Sequence, residues 1–133
     1  MADVIYPKAL KGFLDGNLTW AGTIKAVLVT SSYVYSANHE FLSNISAGYR
    51  VSTSLAFTGL ATYDDGICDA DDAVFQSVSG SNAPAVVVFK DTGNEATSRL
   101  IVYFDSLDGL PVVPAGTNIE IRWSNDTNRM FKI

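Results

Sequence analysis

Apolar positions in this chain repeat at two periods. Near the start, Leu10, Phe13 and Leu14 fall at i, i+3 and i+4, the spacing of one helical face. Pro7 suits a first turn and Gly16 a C-terminal stop, so a short helix is predicted between Tyr6 and Gly16. It is expected to lie across one side or end of a sheet. A second short helix is predicted over residues 39–45, capped by Asn38, with Phe41, Leu42 and Ile45 on one face and Gly48 beyond its end.

Elsewhere the pattern is that of strands. Candidates are residues 23–30, 49–54, 55–63, 73–78, 84–90, 99–105, 117–123 and 129–133. Turn residues separate them at Asp65-Gly66, Ser79-Gly80-Ser81-Asn82, Asp91-Thr92-Gly93-Asn94, Asp108-Gly109 and Asn125-Asp126. About eight short strands with regular turns predict an all-β protein: an antiparallel β-sandwich, jelly-roll-like, with the two short helices added. There is no internal repeat and no linker, so residues 1–133 are read as a single domain.

The strand faces differ. In residues 118–123, Ile119, Ile121 and Trp123 point one way while Glu120 and Arg122 point the other, which predicts one wet face. Residues 85–89 and 100–104 are apolar on both faces and should pair as an antiparallel hairpin. In a two-layer sandwich only one of those faces meets the core. The other needs a cover, which makes Val86, Val88, Ile101 and Tyr103 candidate assembly-interface residues and a homo-oligomer, a trimer, the expected state. At the other end, Phe131 and Ile133 share a face at strand spacing. The expected arrangement is a hairpin with residues 117–123 that buries both beside Ile121 and Trp123.

Composition narrows the class. With 47% apolar and 17% charged residues the chain is not disordered, and it has little charge to spread over its surface. Cys68 is the single cysteine, so an intramolecular disulfide is impossible, and no Cys/His pattern for structural zinc exists. No apolar run approaches the roughly 20 residues of a membrane span. No basic segment followed by an apolar run opens the sequence, so synthesis and folding in a cytoplasm are expected. The Asn-x-Ser/Thr triplets at Asn17, Asn44 and Asn125 are then chance matches.

Charge is uneven. The net charge is −5, and residues 64–72 carry five aspartates with no basic residue. No basic stripe exists, which argues against nucleic-acid binding. In the acidic segment Asp69, Asp71 and Asp72 are weak candidates for a cation site, since hard cations want several carboxylate oxygens. The spacing does not fit an EF-hand loop, and a solvated turn is the simpler expectation. His39 is the single histidine and lies in no nucleophile-elbow or zincin pattern. Cys68 sits among aspartates, which would raise its thiol pKa, so it is expected to be inert. Trp20, Trp123 and six tyrosines could build a sugar-stacking platform, although Trp123 shares the apolar face of its strand. Glycine-rich phosphate loops and a paired acid and base are both missing from the pattern. A protein without catalysis or cofactor, acting by binding, is the reading these residues support.

Several segments together carry a resemblance. They are Leu10-Lys11-Gly12-Phe13-Leu14-Asp15-Gly16, Thr23-Ile24-Lys25-Ala26-Val27-Leu28-Val29 with Ser32-Tyr33, and His39-Glu40-Phe41-Leu42-Ser43. Lys90-Asp91-Thr92-Gly93-Asn94-Glu95-Ala96-Thr97-Ser98 and Ile119-Glu120-Ile121-Arg122-Trp123 complete the set. Across nearly its whole length the chain resembles a family of small virion proteins of tailed bacteriophages. The resemblance implies a structural role and transfers no catalytic residue. Capsid decoration (cement) is the leading role it implies: binding the outside of an expanded shell, often as trimers, against the pressure of packaged DNA. Implied partners are copies of the chain itself and the major capsid protein or another virion protein. The implied location is the virion, after synthesis in the host cytoplasm. A tail or adaptor subunit, and a carbohydrate-binding module on a tail fibre, are the rival roles.

Overall fold

The structure, a computed structural model, describes residues 3–107, 109–123 and 129–133. The protein is all-β with one helix. In chain order the elements are β1 (Val4–Ile5), α1 (Pro7–Asp15), β2 (Ile24–Val29), β3 (Arg50–Thr53), β4 (Ala61–Tyr63), β5 (Ile67–Asp69), β6 (Ala73–Phe75), β7 (Ala85–Lys90), β8 (Arg99–Phe104), β9 (Ile119–Ile121) and β10 (Phe131–Lys132). All pairings are antiparallel: a five-stranded sheet in the order β1-β8-β7-β2-β3, a three-stranded sheet β10-β5-β4, and the pair β6-β9.

The long runs of Val, Ile and Leu make the three central strands of the large sheet, where both faces are dry. Val27 lies opposite Val87, and Val87 opposite Tyr103. One residue along, Leu28, Val86 and Phe104 line up in the same way. Residues opposed across a ladder share a face, so these two rows cover opposite sides of the sheet. On the Phe104 side, Phe104 packs against Trp123, Trp123 against Phe57, Phe57 against Trp20 and Trp20 against Phe131, with ring centroids 5.1–6.5 Å apart. These rings tie the two small sheets over that face in a sandwich-like arrangement.

On the other side, Tyr103 meets Tyr33 and Tyr35, and Tyr35 meets Tyr6. Here the cover is irregular chain following β2, together with Tyr6 and α1. This corrects the expectation that an uncovered hairpin face seeks a partner. The predicted β7–β8 hairpin is present, but Val86, Val88 and Ile101 are fully buried and Tyr103 is 8% exposed. None of the four offers a surface to another subunit. The trimer inferred from them loses its physical basis.

Four further expectations change. Residues 39–45 form no α-helix; Leu42–Asn44 is a single 3-10 turn. The preceding residues instead pair with the start of β8: Phe41 bridges Arg99, and the Leu42 and Leu100 amides donate to the Ser98 and Glu40 carbonyls. A sheet edge with open donors and acceptors thus captures a segment whose pattern alone reads as helical. Within residues 55–63 only Ala61–Tyr63 is a strand. The acidic segment is not one open loop, because β5 runs through it. Finally, the last strand does not pair with residues 117–123. β9 takes β6, while β10 takes β5 and sets Phe131 opposite Cys68. Phe131 is buried as expected, but Ile133 is 44% exposed. The turn predicted at Asn125-Asp126, and Asp108 of the turn before Gly109, lie outside the described residues.

Candidate functional site

The carboxylates once considered for a cation are engaged separately. Asp69 Oδ2 lies 3.6 Å from Arg129 Nη1. Asp71 Oδ2 accepts from the Thr58 hydroxyl at 2.8 Å, and Asp72 Oδ1 from the Trp123 amide at 3.1 Å. Among the described residues no group of three or more His, Cys, Asp or Glu side chains converges on a point that could hold a metal ion. The acidic segment does something else. Its backbone carbonyls at Asp69 and Asp71 accept the indole N–H groups of Trp20 and Trp123, at 2.9 and 3.1 Å. Buried tryptophans need such acceptors. Both indoles are therefore core, as the shared apolar face of Trp123 suggests, and neither can serve a sugar-stacking platform.

His39 closes a short polar chain inside the tyrosine cluster. The Tyr6 and Tyr33 hydroxyls share a hydrogen bond of 2.7 Å, and Tyr33 Oη is 2.8 Å from His39 Nδ1. Burial pushes the Tyr33 phenol up to about 12 and holds the Tyr6 phenol well above its ordinary value. Burial also lowers the pKa of His39. These groups stay neutral near pH 7 and pin the aromatic layer over β8. Cys68 is buried and its thiol is pushed up to about 11 by that burial, so desolvation rather than neighbouring aspartates raises it.

What the surface does present is apolar. α1 turns inward through its small residues, Ala9 and Gly12. A Cβ on Gly12 would stand 3.1 Å from the Leu18 Cβ, so the Leu18 side chain just beyond the helix packs closely on this face. The larger residues are left outside: Leu14 is 88% exposed and Leu10 38%. Between α1 and the β4–β5 turn opens a pocket of about 280 Å³ whose walls include Phe13, Trp20, Ile67 and Ile133. On the opposite flank of the helix is a polar cleft of about 190 Å³. Its charges pair internally, Lys11 with Asp15 and Arg99 with Glu40, and the Arg99 guanidinium also lies over the Phe41 ring. The leucine ridge with its pocket is the candidate site. The sequence pattern puts Leu10, Phe13 and Leu14 on one helical face; Phe13 packs against the core, while Leu10 and Leu14 are exposed. Gly12 and Ala9, three apart on one helical face, were the available sign that small residues would take that place.

No family model matches the chain, and no curated protein matches it.

Proposed function

We propose that the protein is a structural subunit of a tailed-bacteriophage particle, with capsid decoration as its leading role and a tail or adaptor position as the alternative. It acts by binding: it adds contacts between neighbouring subunits of a shell and carries out no reaction. The observation that carries this reading is the exposed Leu10–Leu14 ridge beside a mainly apolar pocket, on a molecule whose candidate catalytic groups, His39 and Cys68, serve its own packing. Contiguous exposed apolar surface of this kind marks a docking site. The resemblance to small virion proteins supplies the particle. No helix among the described residues is long and apolar enough to cross a membrane.

The test is co-purification. Particles from an infected culture should carry the protein at a fixed ratio to the major capsid protein through gradient sedimentation. Immunogold labelling would show heads for decoration, and tails or the head–tail junction for the alternative. Particles free of the protein would end the reading. Retention on a glycan array, lost in an exposed-tyrosine variant such as Tyr63→Ala, would replace it with carbohydrate recognition.

A further inference from the structure

We propose that residues 31–39 form a strap latched onto the large sheet by the hydrogen-bond chain Tyr6–Tyr33–His39, and that a second proton on the His39 imidazole releases it. Backbone bonds fix the two ends of this segment: the Thr30 amide donates to the Tyr49 carbonyl, and the Leu100 amide to the Glu40 carbonyl. Between these anchors the backbone bonds are local, from Tyr33 to the Thr30 carbonyl and from His39 to the Ser36 carbonyl. Ser31, Ser32, Ala37 and Asn38 are exposed, and Val34 is 74% exposed. Side chains therefore hold the strap to the body. Tyr33 and Tyr35 pack on Tyr103 of β8, Tyr35 packs on Tyr6, and His39 is bonded to Tyr33. A segment with so few backbone bonds to the body opens at a lower free energy than strands in a ladder.

The chain has a fixed direction. Tyr6 is fully buried, and among the described residues Tyr33 is the one hydrogen-bond partner of its hydroxyl. A buried hydroxyl proton needs an acceptor, so Tyr6 donates to Tyr33 Oη. The Tyr33 proton is then left for His39 Nδ1, 2.8 Å away, which must carry a lone pair. Neutral His39 therefore holds its single ring proton on Nε2. Charging the ring puts a proton on Nδ1 as well. That nitrogen becomes a donor, Tyr33 Oη must accept from it, and the Tyr33 proton turns to Tyr6. The Tyr6 proton then has no acceptor among the described residues, at a site without exposure, and the charged ring is half-buried. Opening the strap relieves both and bares the Tyr103 side of β8. The other ionisable groups around the strap are tyrosines and carboxylates. The phenols of Tyr6, Tyr33, Tyr35 and Tyr103 are held above their ordinary values and stay neutral. Asp3 and Asp105 act on Tyr103, and Glu40, the chain neighbour of His39, is bound by Arg99.

Hydrogen exchange at the backbone amides of Tyr33 and His39 tests the latch, measured by NMR on the purified full chain at pH 7.5 and 5.5 with the intrinsic rates divided out. In the open strap the imidazole titrates at the ordinary 6.5, and in the closed strap burial lowers it. The closed form keeps its full advantage above pH 6.5 and loses it progressively as pH falls below that value. The opening equilibrium should rise by about two- to tenfold between the two pH values, about tenfold being the ceiling for a single group of this pKa. The exchange should be indifferent to dilute urea, the sign of a local opening, while the β7–β8 ladder exchanges more slowly and responds to urea. His39→Gln keeps an acceptor for Tyr33 without a titratable ring, so its strap should stay closed and lose the pH response. The imidazole nitrogen spectrum of the wild type at pH 7.5 should show the Nε2–H tautomer. A neutral ring protonated on Nδ1, a pH response that survives His39→Gln, or strap amides that exchange together with the ladder would each overturn the latch.

Discussion

His39 shows how one side chain ties packing to pH. Burial beside Tyr33 lowers its pKa from the ordinary 6.5, so the folded protein resists charging it more than the unfolded chain does. Below pH 6.5 the unfolded chain binds more protons, and stability falls with pH until the folded imidazole also titrates. Asp91 adds to the loss at lower pH. The hydrogen bond from Lys25, and then that from the Gly93 amide, hold its carboxyl below the ordinary 3.8. Its contribution is complete above that value and disappears as pH falls through the lowered one. Urea denaturation at pH 7.5 and 5.5 should show the wild type less stable at the lower pH. In His39→Asn the difference between these two pH values should shrink, and an unchanged difference would remove His39 from the account. Trp20 and Trp123 act at the same scale. They are core residues because carbonyls of the acidic segment accept their N–H groups, an arrangement that residue type alone does not reveal.

At the scale of elements, α1 and β10 are held in different ways. α1 packs its Gly12 face closely against the Leu18 side chain, where even one Cβ would press on Leu18. Gly12→Leu should therefore destabilise the fold by about 1–3 kcal/mol, despite leucine's better helix propensity. Chemical denaturation checks this, and a neutral or stabilising result would mean that α1 is not seated as described. β10 is attached through side chains. Met130 and Phe131 are buried, and β10 completes the ladder on β5. Burying two such residues contributes roughly 3–6 kcal/mol, a large part of a small domain's net stability. Removing residues 130–133 should give insoluble or non-cooperatively melting protein, measured by soluble yield and circular dichroism. Ile133→Ala should do far less, because Ile133 is 44% exposed.

At the scale of the molecule, one hydrophobic core joins all three sheets, and both faces of the large sheet are closed by the chain itself. A mutation in the hairpin therefore separates two accounts of assembly. Val88→Asp should unfold the protein, since it buries an unpaired carboxylate at a site with no exposure. If Val88 formed an interface between copies, the variant would be a folded monomer instead. Measuring far-UV circular dichroism and sedimentation on the same sample distinguishes the two.

The sequence by itself determined the elements whose local signals agree. Pro7 and Gly16 bracket α1, with Gly16 in the left-handed conformation that the stop requires, and the dry runs that became β2, β7 and β8 are rich in strand-forming apolar residues over their length. Those runs also determined the antiparallel all-β class. Tertiary structure decided what local pattern leaves open: which strand pairs with which, and what covers each face. The acidic segment was legible as charge, but its strand lies between the neighbouring β4 and the distant β10, where Phe131 is across from Cys68, more than sixty residues away in the chain. Residues 39–45 read as a helix, yet the open edge of β8 offered partners that a short isolated helix could not match. The exposure of Leu10 and Leu14 was hidden for the same reason. A helical face rich in leucine is the natural core candidate, yet Ala9 and Gly12 are the residues that α1 buries.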